Sequence, residues 1–276
     1  MQQLTKQSCP GRQNYSTLVY FFVFSTARKT DNMIPFVLTV LLLSLAAVSP
    51  VGDSTTSHLT HGDKMVDVID DGGNLRNAVN CTASGCKWPK SGKKVKVPYE
   101  ISTAYSKKQR KFIIKILKDF MKSTCIHFIK RTEKHRDYLS FISANGCWSH
   151  IGRWQNRQQI SLKANGCLFR DIVEHEVLHA LGFHHEHVRS DRDDHVNIHY
   201  ENIRPGREYN FEIQETNNLG TPYDFKSVMH YNQFVFSKNG KPTITAKDKS
   251  VTNFGTATEM STNDYARVNK LYNCCE

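Results

Sequence analysis

No apolar run in this chain is long enough to cross a bilayer comfortably. The longest, Ile34 to Val48 (IPFVLTVLLLSLAAV), falls short of the ~20 residues that a spanning helix needs, which excludes a polytopic membrane protein. Glycine and proline are sparse, at 15 and 8 of 276 residues, and only 39% of the chain is apolar. With no internal repeat, neither collagen nor a coiled coil fits. No CxxC pair occurs among the eight cysteines, so they do not read as a zinc finger. No RNA- or DNA-binding module motif occurs either, and nucleic acid is not an expected partner. Acidic residues are outnumbered 26 to 37, a formal charge of +11, and because residues 1–76 hold six of each sign the excess lies in residues 77–276. A stretch of that length buries one large core or two small lobes, hiding roughly 70% of its unfolded surface.

The run Ile34 to Val48 has the character of a secretory h-region. Arg28-Lys29 precede it, and small residues followed by Pro50, Gly52 and Asp53 close it, so residues 33–52 are expected to be a signal peptide on a secreted protein. A buried core helix is the other reading of the run, and the upstream extension of residues 1–32 keeps a signal anchor open, with translation starting at Met1 or Met33. Seven cysteines, Cys81, Cys86, Cys125, Cys147, Cys167, Cys274 and Cys275, follow the signal, which suits an extracellular disulfide framework. Seven is odd, so one thiol is expected to be left over, with the Cys274-Cys275 pair as its place. Residues 53–76 are polar, lack aromatics and end in Asp70-Asp71-Gly72-Gly73-Asn74-Leu75-Arg76, the look of a flexible, cleavable segment.

Beyond it the pattern becomes that of a folded α/β body. Val95, Val97, Tyr99 and Ile101 alternate with Lys96, Pro98 and Glu100, which predicts a strand with Pro98 near a sheet edge. Ser106 offers an N-cap, and Phe112, Ile113, Ile116, Leu117, Phe120 and Met121 recur at helical spacing opposite a lysine face, predicting an amphipathic helix over 107–122. Ile126 to Ile129, Tyr138 to Ile142 and Ile160 to Leu162 read as short strands, with Gly146 and Gly166 at turns. After Gly182 the chain turns irregular until Ser261 to Tyr272, a last helix.

The chemistry sits at residues 170–187, Arg-Asp-Ile-Val-Glu-His-Glu-Val-Leu-His-Ala-Leu-Gly-Phe-His-His-Glu-His. A helix there puts His175 and His179, four apart, on one face, where both imidazoles reach one zinc ion. Glu176 beside them is placed to take a proton from water rather than to ligate. Gly182 ends the helix and lets the backbone turn so that His185 returns as third ligand. Three nitrogens leave a position open for water and substrate. The five fixed residues of HExxHxxGxxH arise by chance in a chain this long with probability on the order of 10⁻⁴, so histidines that merely decorate a helix are the weaker reading. His184, His187, His195 and His199 match no ligand spacing and are expected in surface or structural roles.

The run HEVLHALGFHHEHVRSDRD resembles the zinc signature of the astacin family of metzincin metalloproteases, with Glu186 directly after His185 as that family's mark. Ser227-Val228-Met229-His230-Tyr231 resembles its Met-turn, and Asn77-Ala78-Val79 with Cys81, Cys86 and Trp88 is similar to the six-cysteine subgroup typified by fish hatching enzymes. The resemblance implies an α+β fold: an N-terminal lobe of mixed twisted sheet plus two long helices, an irregular C-terminal lobe, and an active-site cleft between them. It implies one Zn2+ in a catalytic domain at 77–276, Tyr231 as an extra ligand that swings away to hold the oxyanion, and Met229 as a hydrophobic floor. It implies the disulfides Cys81–Cys86, Cys125–Cys274 and Cys147–Cys167, with Cys275 outside the pattern. It also implies a propeptide at 53–76 removed by an activating protease at Arg76-Asn77, with Asp63 of Gly62-Asp63 as the zinc switch. In the family the residue matching Glu186 contacts the freed N-terminal strand; the longer start here leaves its partner open.

The expected function is a secreted zinc metalloendopeptidase, made as a zymogen, that hydrolyses extracellular protein or glycoprotein substrates, with egg-envelope proteolysis as the subgroup's role. Lys87 to Lys118 carry a basic stretch that would suit an acidic substrate, although a solvated helix face is the plainer account. The alternatives are a tissue or blood-cell astacin with other substrates, another metzincin branch, and a catalytically silent matrix- or glycan-binding module.

Overall fold

The computed structural model describes residues 86–275. The upstream extension, the signal and propeptide segments, Asp63, the Arg76-Asn77 bond and Cys81 lie outside the described residues. Eight strands and three helices follow in the order β1 (Lys90–Ser91), β2 (Lys94–Ile101), α1 (Lys107–Ser123), β3 (Ile126–Lys130), β4 (Tyr138–Ile142), β5 (Cys147–Ser149), β6 (Arg157–Leu162), α2 (Arg170–Ala180), β7 (Val196–Ile198), β8 (Ile244–Ala246) and α3 (Thr262–Leu271). No helix among the described residues is long and apolar enough to cross a membrane.

Alternation along β2 sets the sheet's two faces. Val95 and Val97 are fully buried while Lys94 and Lys96 are exposed, as a strand with one covered face requires. The six-stranded sheet runs β1-β2-β4-β6-β5, with β3 on the other side of β2. β2 pairs in parallel with β3 and β4, β4 in parallel with β6, and β1 and β5 add antiparallel pairs. On its inner face α1 buries Ile113, Ile116, Leu117 and Phe120, with Phe120 edge-on to Phe128 at 5.7 Å. A capping box starts that helix: the Gln109 amide N–H donates to Ser106 Oγ at 3.2 Å and the Ser106 N–H to Gln109 Oε1 at 2.8 Å, satisfying two of the N–H groups a helix start leaves orphaned.

Pro98 is not at an edge; β2 is flanked on both sides. Val95 and Tyr99 bond toward β3, so the even-numbered positions face the opposite side. There β1 pairs only Lys94 and Val95, and β4 begins only at Tyr99. The missing N–H of Pro98 falls in the gap between those two ladders. The short strands β1, β5, β7 and β8 are too brief to register as periodic signals, and β7 with β8 forms a two-stranded antiparallel sheet within the otherwise irregular C-terminal half.

α2 is buried over Val173 to Ala180, so its last carbonyls need partners from outside the helix. Trp88 Nε1 donates to Ala180 O at 2.9 Å, the Tyr272 hydroxyl to Leu181 O at 2.9 Å, and the Gly152 and Gly182 amides to His179 O at 2.7 and 2.8 Å. Gly182, at φ +107°, lets the chain leave α2 in a direction that side-chain-bearing residues rarely adopt.

α3 clamps the segments on either side of the C-terminal half. Its Arg267 makes a two-pronged ion pair with the buried Glu186, Nη1 to Oε2 and Nη2 to Oε1, the latter at 2.7 Å. Arg189 Nη1 at 3.3 Å and the Asp224 amide at 2.7 Å complete that carboxylate's partners. Asp264, also buried, accepts from Ser227 Oγ at 2.6 Å and from the Val228 amide at 3.0 Å. The disulfide Cys125–Cys274 joins the entry of β3 to the end of α3, and Cys147–Cys167 joins β5 to the loop before α2. Cys86 and Cys275 are disulfide-bonded as well, and no described cysteine is free. The expectation of a surplus thiol at Cys275 is therefore corrected: among the described residues Cys275 is held in a disulfide.

Two consequences are measurable. Tyr272→Phe leaves the Leu181 carbonyl without its donor and should lower unfolding free energy by about 1–3 kcal/mol, seen as a lower urea midpoint at unchanged m-value. Arg267→Met leaves the Glu186 charge under-compensated inside the protein and should cost about 3–5 kcal/mol, read as a fall in Tm.

Candidate active site

The helix α2 and the turn at Gly182 bring three imidazoles to one point. His185 Nε2 lies 3.1 Å from His175 Nε2 and 3.2 Å from His179 Nε2, and one nitrogen from each of the three lies within 4.8 Å of the others. His175 and His179, one turn apart on α2, stand nearly perpendicular with ring centres 4.6 Å apart. Their outer nitrogens are held by backbone carbonyls: His175 Nδ1 donates to Val228 O at 2.9 Å and His179 Nδ1 to Phe183 O at 2.8 Å. A carbonyl only accepts, so in both rings the proton sits on Nδ1 and the Nε2 lone pair faces the centre. Burial lowers the His179 pKa to about 4 and holds that of His185 well below the ordinary range, where the neighbouring imidazoles add to the effect. Three inward-facing imidazole nitrogens, two of them on rings whose outer nitrogens are bound by carbonyls, are the donor set that zinc takes, and the residues fit that ion.

Glu176 follows His175 on α2 and is buried with it. Burial pushes its carboxyl well above the usual carboxylate range. It therefore holds a proton more readily than a surface glutamate, a property of groups that pass protons.

The turn at 227–231 lies against the histidines. Its Val228 carbonyl is the His175 partner just described, and Met229 is buried with its carbonyl accepting from the Glu186 amide at 2.9 Å. Tyr231 is buried, its ring centre 4.4 Å from that of His185. His187 is fully buried rather than on the surface. Its ring stacks 4.1 Å from Tyr231 and 5.6 Å from His185, and Nε2 bonds Asn210 O at 2.9 Å. Burial brings its pKa down to about 3. His230 is likewise buried and pairs with the Tyr223 hydroxyl at 2.7 Å. No spacing rule points to His187 or His230, because both act through packing across the chain. His195 stacks on Tyr223 and His199 pairs with Thr245, both away from the cluster. Glu174, one residue before His175, is turned to the other side of α2, where it accepts from the Met260 amide and pairs with Arg170.

Comparison with known proteins agrees with this geometry. The family model for the astacin peptidases matches residues 82–273. Low choriolytic enzyme of Oryzias latipes is 45% identical over 202 residues, 72% of this chain and 74% of that protein. An astacin-like metalloendopeptidase of Gallus gallus is 42% identical over 202 residues, 72% of this chain and 49% of that longer protein. Among solved structures, high choriolytic enzyme 1, a hatching-enzyme zinc protease of the medaka Oryzias latipes, superposes with a TM-score of 0.66 at 42% identity, over 68% of this chain and 95% of that one. The α+β metzincin fold and the converged histidines thus have their counterpart in a family matched over most of the chain: the protein belongs to the astacin family and is a zinc metalloendopeptidase.

Proposed function

We propose that the protein is a secreted endopeptidase that holds one zinc ion per catalytic domain on Nε2 of His175, His179 and His185. The observation that carries this reading is the convergence of three imidazole nitrogens, with the outer nitrogens of His175 and His179 pinned by backbone carbonyls. Zinc bound there supplies a Lewis acid that polarises a peptide carbonyl and acidifies water. Glu176 accepts the proton of the attacking water and delivers it to the departing amine nitrogen. The Tyr231 hydroxyl holds the oxyanion, with the His185 and His187 rings setting its direction, and Met229 packs beneath as an apolar floor. β5 ends the sheet order, and its edge, unpaired among the described residues, offers backbone groups to an extended substrate chain.

In this reading residues 33–52 direct export and residues 53–76 are a propeptide, with Asp63 occupying the site until an activating protease cuts Arg76-Asn77. The polar, aromatic-free composition of 53–76 and the disulfides of the described body support it. Egg-envelope protein is the substrate we favour, on the similarity to two choriolytic enzymes. Similarity to the avian metalloendopeptidase keeps a tissue astacin as the second reading, and expression in hatching embryos as against adult tissue separates them.

Residues 33–276, expressed and treated with a trypsin-like protease, should give a new N-terminus at Asn77, one bound zinc, and chelator-sensitive cleavage of casein and of egg envelope. Correct processing with zinc but no cleavage would make the protein a silent binding module, and absence of zinc would remove the site assignment. Glu176→Gln should keep zinc and lose about 10²–10⁴ in kcat. His179→Ala should lose both, and near-normal turnover in the Gln variant would refute the base role.

A further inference from the structure

Beside β6 and the loop that leads into it lies a cavity of about 320 Å3 lined by His150, Trp154, Gln155, Arg157, Gln158 and Gln159. None of its lining residues is among those assigned to peptide hydrolysis at the histidine cluster. Its volume is at the small end of the ~300–1,000 Å3 range of ligand pockets. Trp154 is 44% exposed, large for an indole on a single-chain surface. The loop that carries it is locked rather than loose. Arg153 reaches Asp137 Oδ2 through both Nε and Nη2, and the Asn156 amide donates to Asp137 Oδ1 at 2.7 Å. Gln158 accepts from the Trp154 amide at 2.9 Å and donates to His150 O and Gly152 O at 3.3 and 2.8 Å. Asn156 takes φ +63°, a conformation that asparagine tolerates better than most residues. His150 lies 4.5 Å from the Trp154 ring at a 34° tilt, so the two rings form a short ladder. An aromatic platform held this firmly loses little further freedom when a ligand covers it.

Around that platform stand groups of mixed hydrogen-bonding character. The side-chain amides of Gln155 and Gln159 make no hydrogen bond among the described residues, and each offers two donors and an acceptor. Arg157, two residues before Gln159 on β6 and so on the same face, commits only Nε, to Ser140 Oγ at 3.2 Å. No carboxylate lines the cavity, so a cation would find no charge-neutralising ligand there. The one formal charge in the lining, Arg157, lies 3.8 Å from Glu100, a carboxylate that Arg131 also holds at 2.9 Å, and a single exposed guanidinium with no second cation in the lining makes a weak site for a strong anion. An apolar peptide side chain would cover the indole but strand the amides. A ligand with one flat C–H face and a rim of groups that both donate and accept meets all of these conditions.

We infer that this cavity is a carbohydrate-binding site, taking a neutral pyranose ring stacked on Trp154 with its hydroxyls on Gln155, Gln159 and Arg157. The loop's Gly152 amide bonds the carbonyl of His179, so the site is rigidly tied to α2. Given the protease reading, a sugar held there would retain glycosylated substrates at the cleft. The binding itself does not depend on that reading.

The test uses the full chain carrying Glu176→Gln, titrated with mannotriose, N-acetylglucosamine trimer and sialyllactose in a calorimeter. Saturable binding of at least one neutral sugar is expected. It should weaken at least about tenfold, 1.4 kcal/mol or more, in Trp154→Ala and also in Gln159→Leu. In otherwise wild-type protein, Trp154→Ala should leave cleavage of an unglycosylated peptide unchanged. Comparing ribonuclease B, which carries a glycan, with its unglycosylated form separates protein-attached from free sugar: tighter binding of the glycosylated form is expected if the site takes attached glycans, and equal binding restricts it to free oligosaccharide. No saturable response to any of the three sugars, a response to sialyllactose alone, or unchanged binding in both variants would overturn the proposal.

Discussion

A catalytic helix that is buried on every side has nowhere to discharge its C-terminal carbonyls except onto the rest of the protein, and the whole arrangement answers to that constraint. Trp88 from the start of the described chain, Gly152 from the loop after β5, Gly182 from the turn itself and Tyr272 from the end of α3 each supply one donor. These four come from positions far apart in sequence, so the end of α2 is where the two halves of the described fold are joined. The same residues that satisfy it fix where His179 ends and where the chain must turn to bring back His185. Burial serves the chemistry as well: it keeps His179 and His185 neutral, and it raises the proton affinity of Glu176.

α3 acts as the second support. Through Arg267 it neutralises Glu186, and through Asp264 it holds the Ser227 and Val228 end of the methionine turn. Both contacts lie close to a functional group: Glu186 follows His185, and Val228 holds His175. An ion pair this deep adds little net stability over an apolar pair of the same size. Its effect is to set position, since a two-pronged guanidinium–carboxylate contact tolerates little rotation. Glu186 is already saturated by Arg267, Arg189 and the Asp224 amide, which answers the question of its partner within the described residues.

Legibility differs sharply from one element to the next. α1 and α3 are readable because a helix buries a stripe at a fixed period, with Ser106 and Ser261 marking their starts, and α2, buried on every side, is readable from a run with no glycine or proline before Gly182. β2 is readable by alternation, yet its place inside the sheet is not, since Pro98 is excluded only from positions where a ladder needs its N–H. Strands of two or three residues, β1, β5, β7 and β8, carry too few side chains to show a period. His187 reads as a bystander because its burial comes from Phe211, Tyr231 and the Asn210 carbonyl, all distant in sequence. The cavity at Trp154 is invisible for the same reason.

The sequence by itself determined the reacting groups: two histidines four apart on a helix, a glutamate between them, and a glycine after which a third histidine follows. Those are local relations, carried by a helical period and one backbone conformation, and local physics is written in adjacent residues. Only the tertiary structure decided which tautomers His175 and His179 adopt, where Tyr231 and Met229 lie, and what neutralises Glu186. Each of those depends on a carbonyl, a ring or a guanidinium brought from another element. No residue's identity announces which distant group will stand beside it once the core has closed.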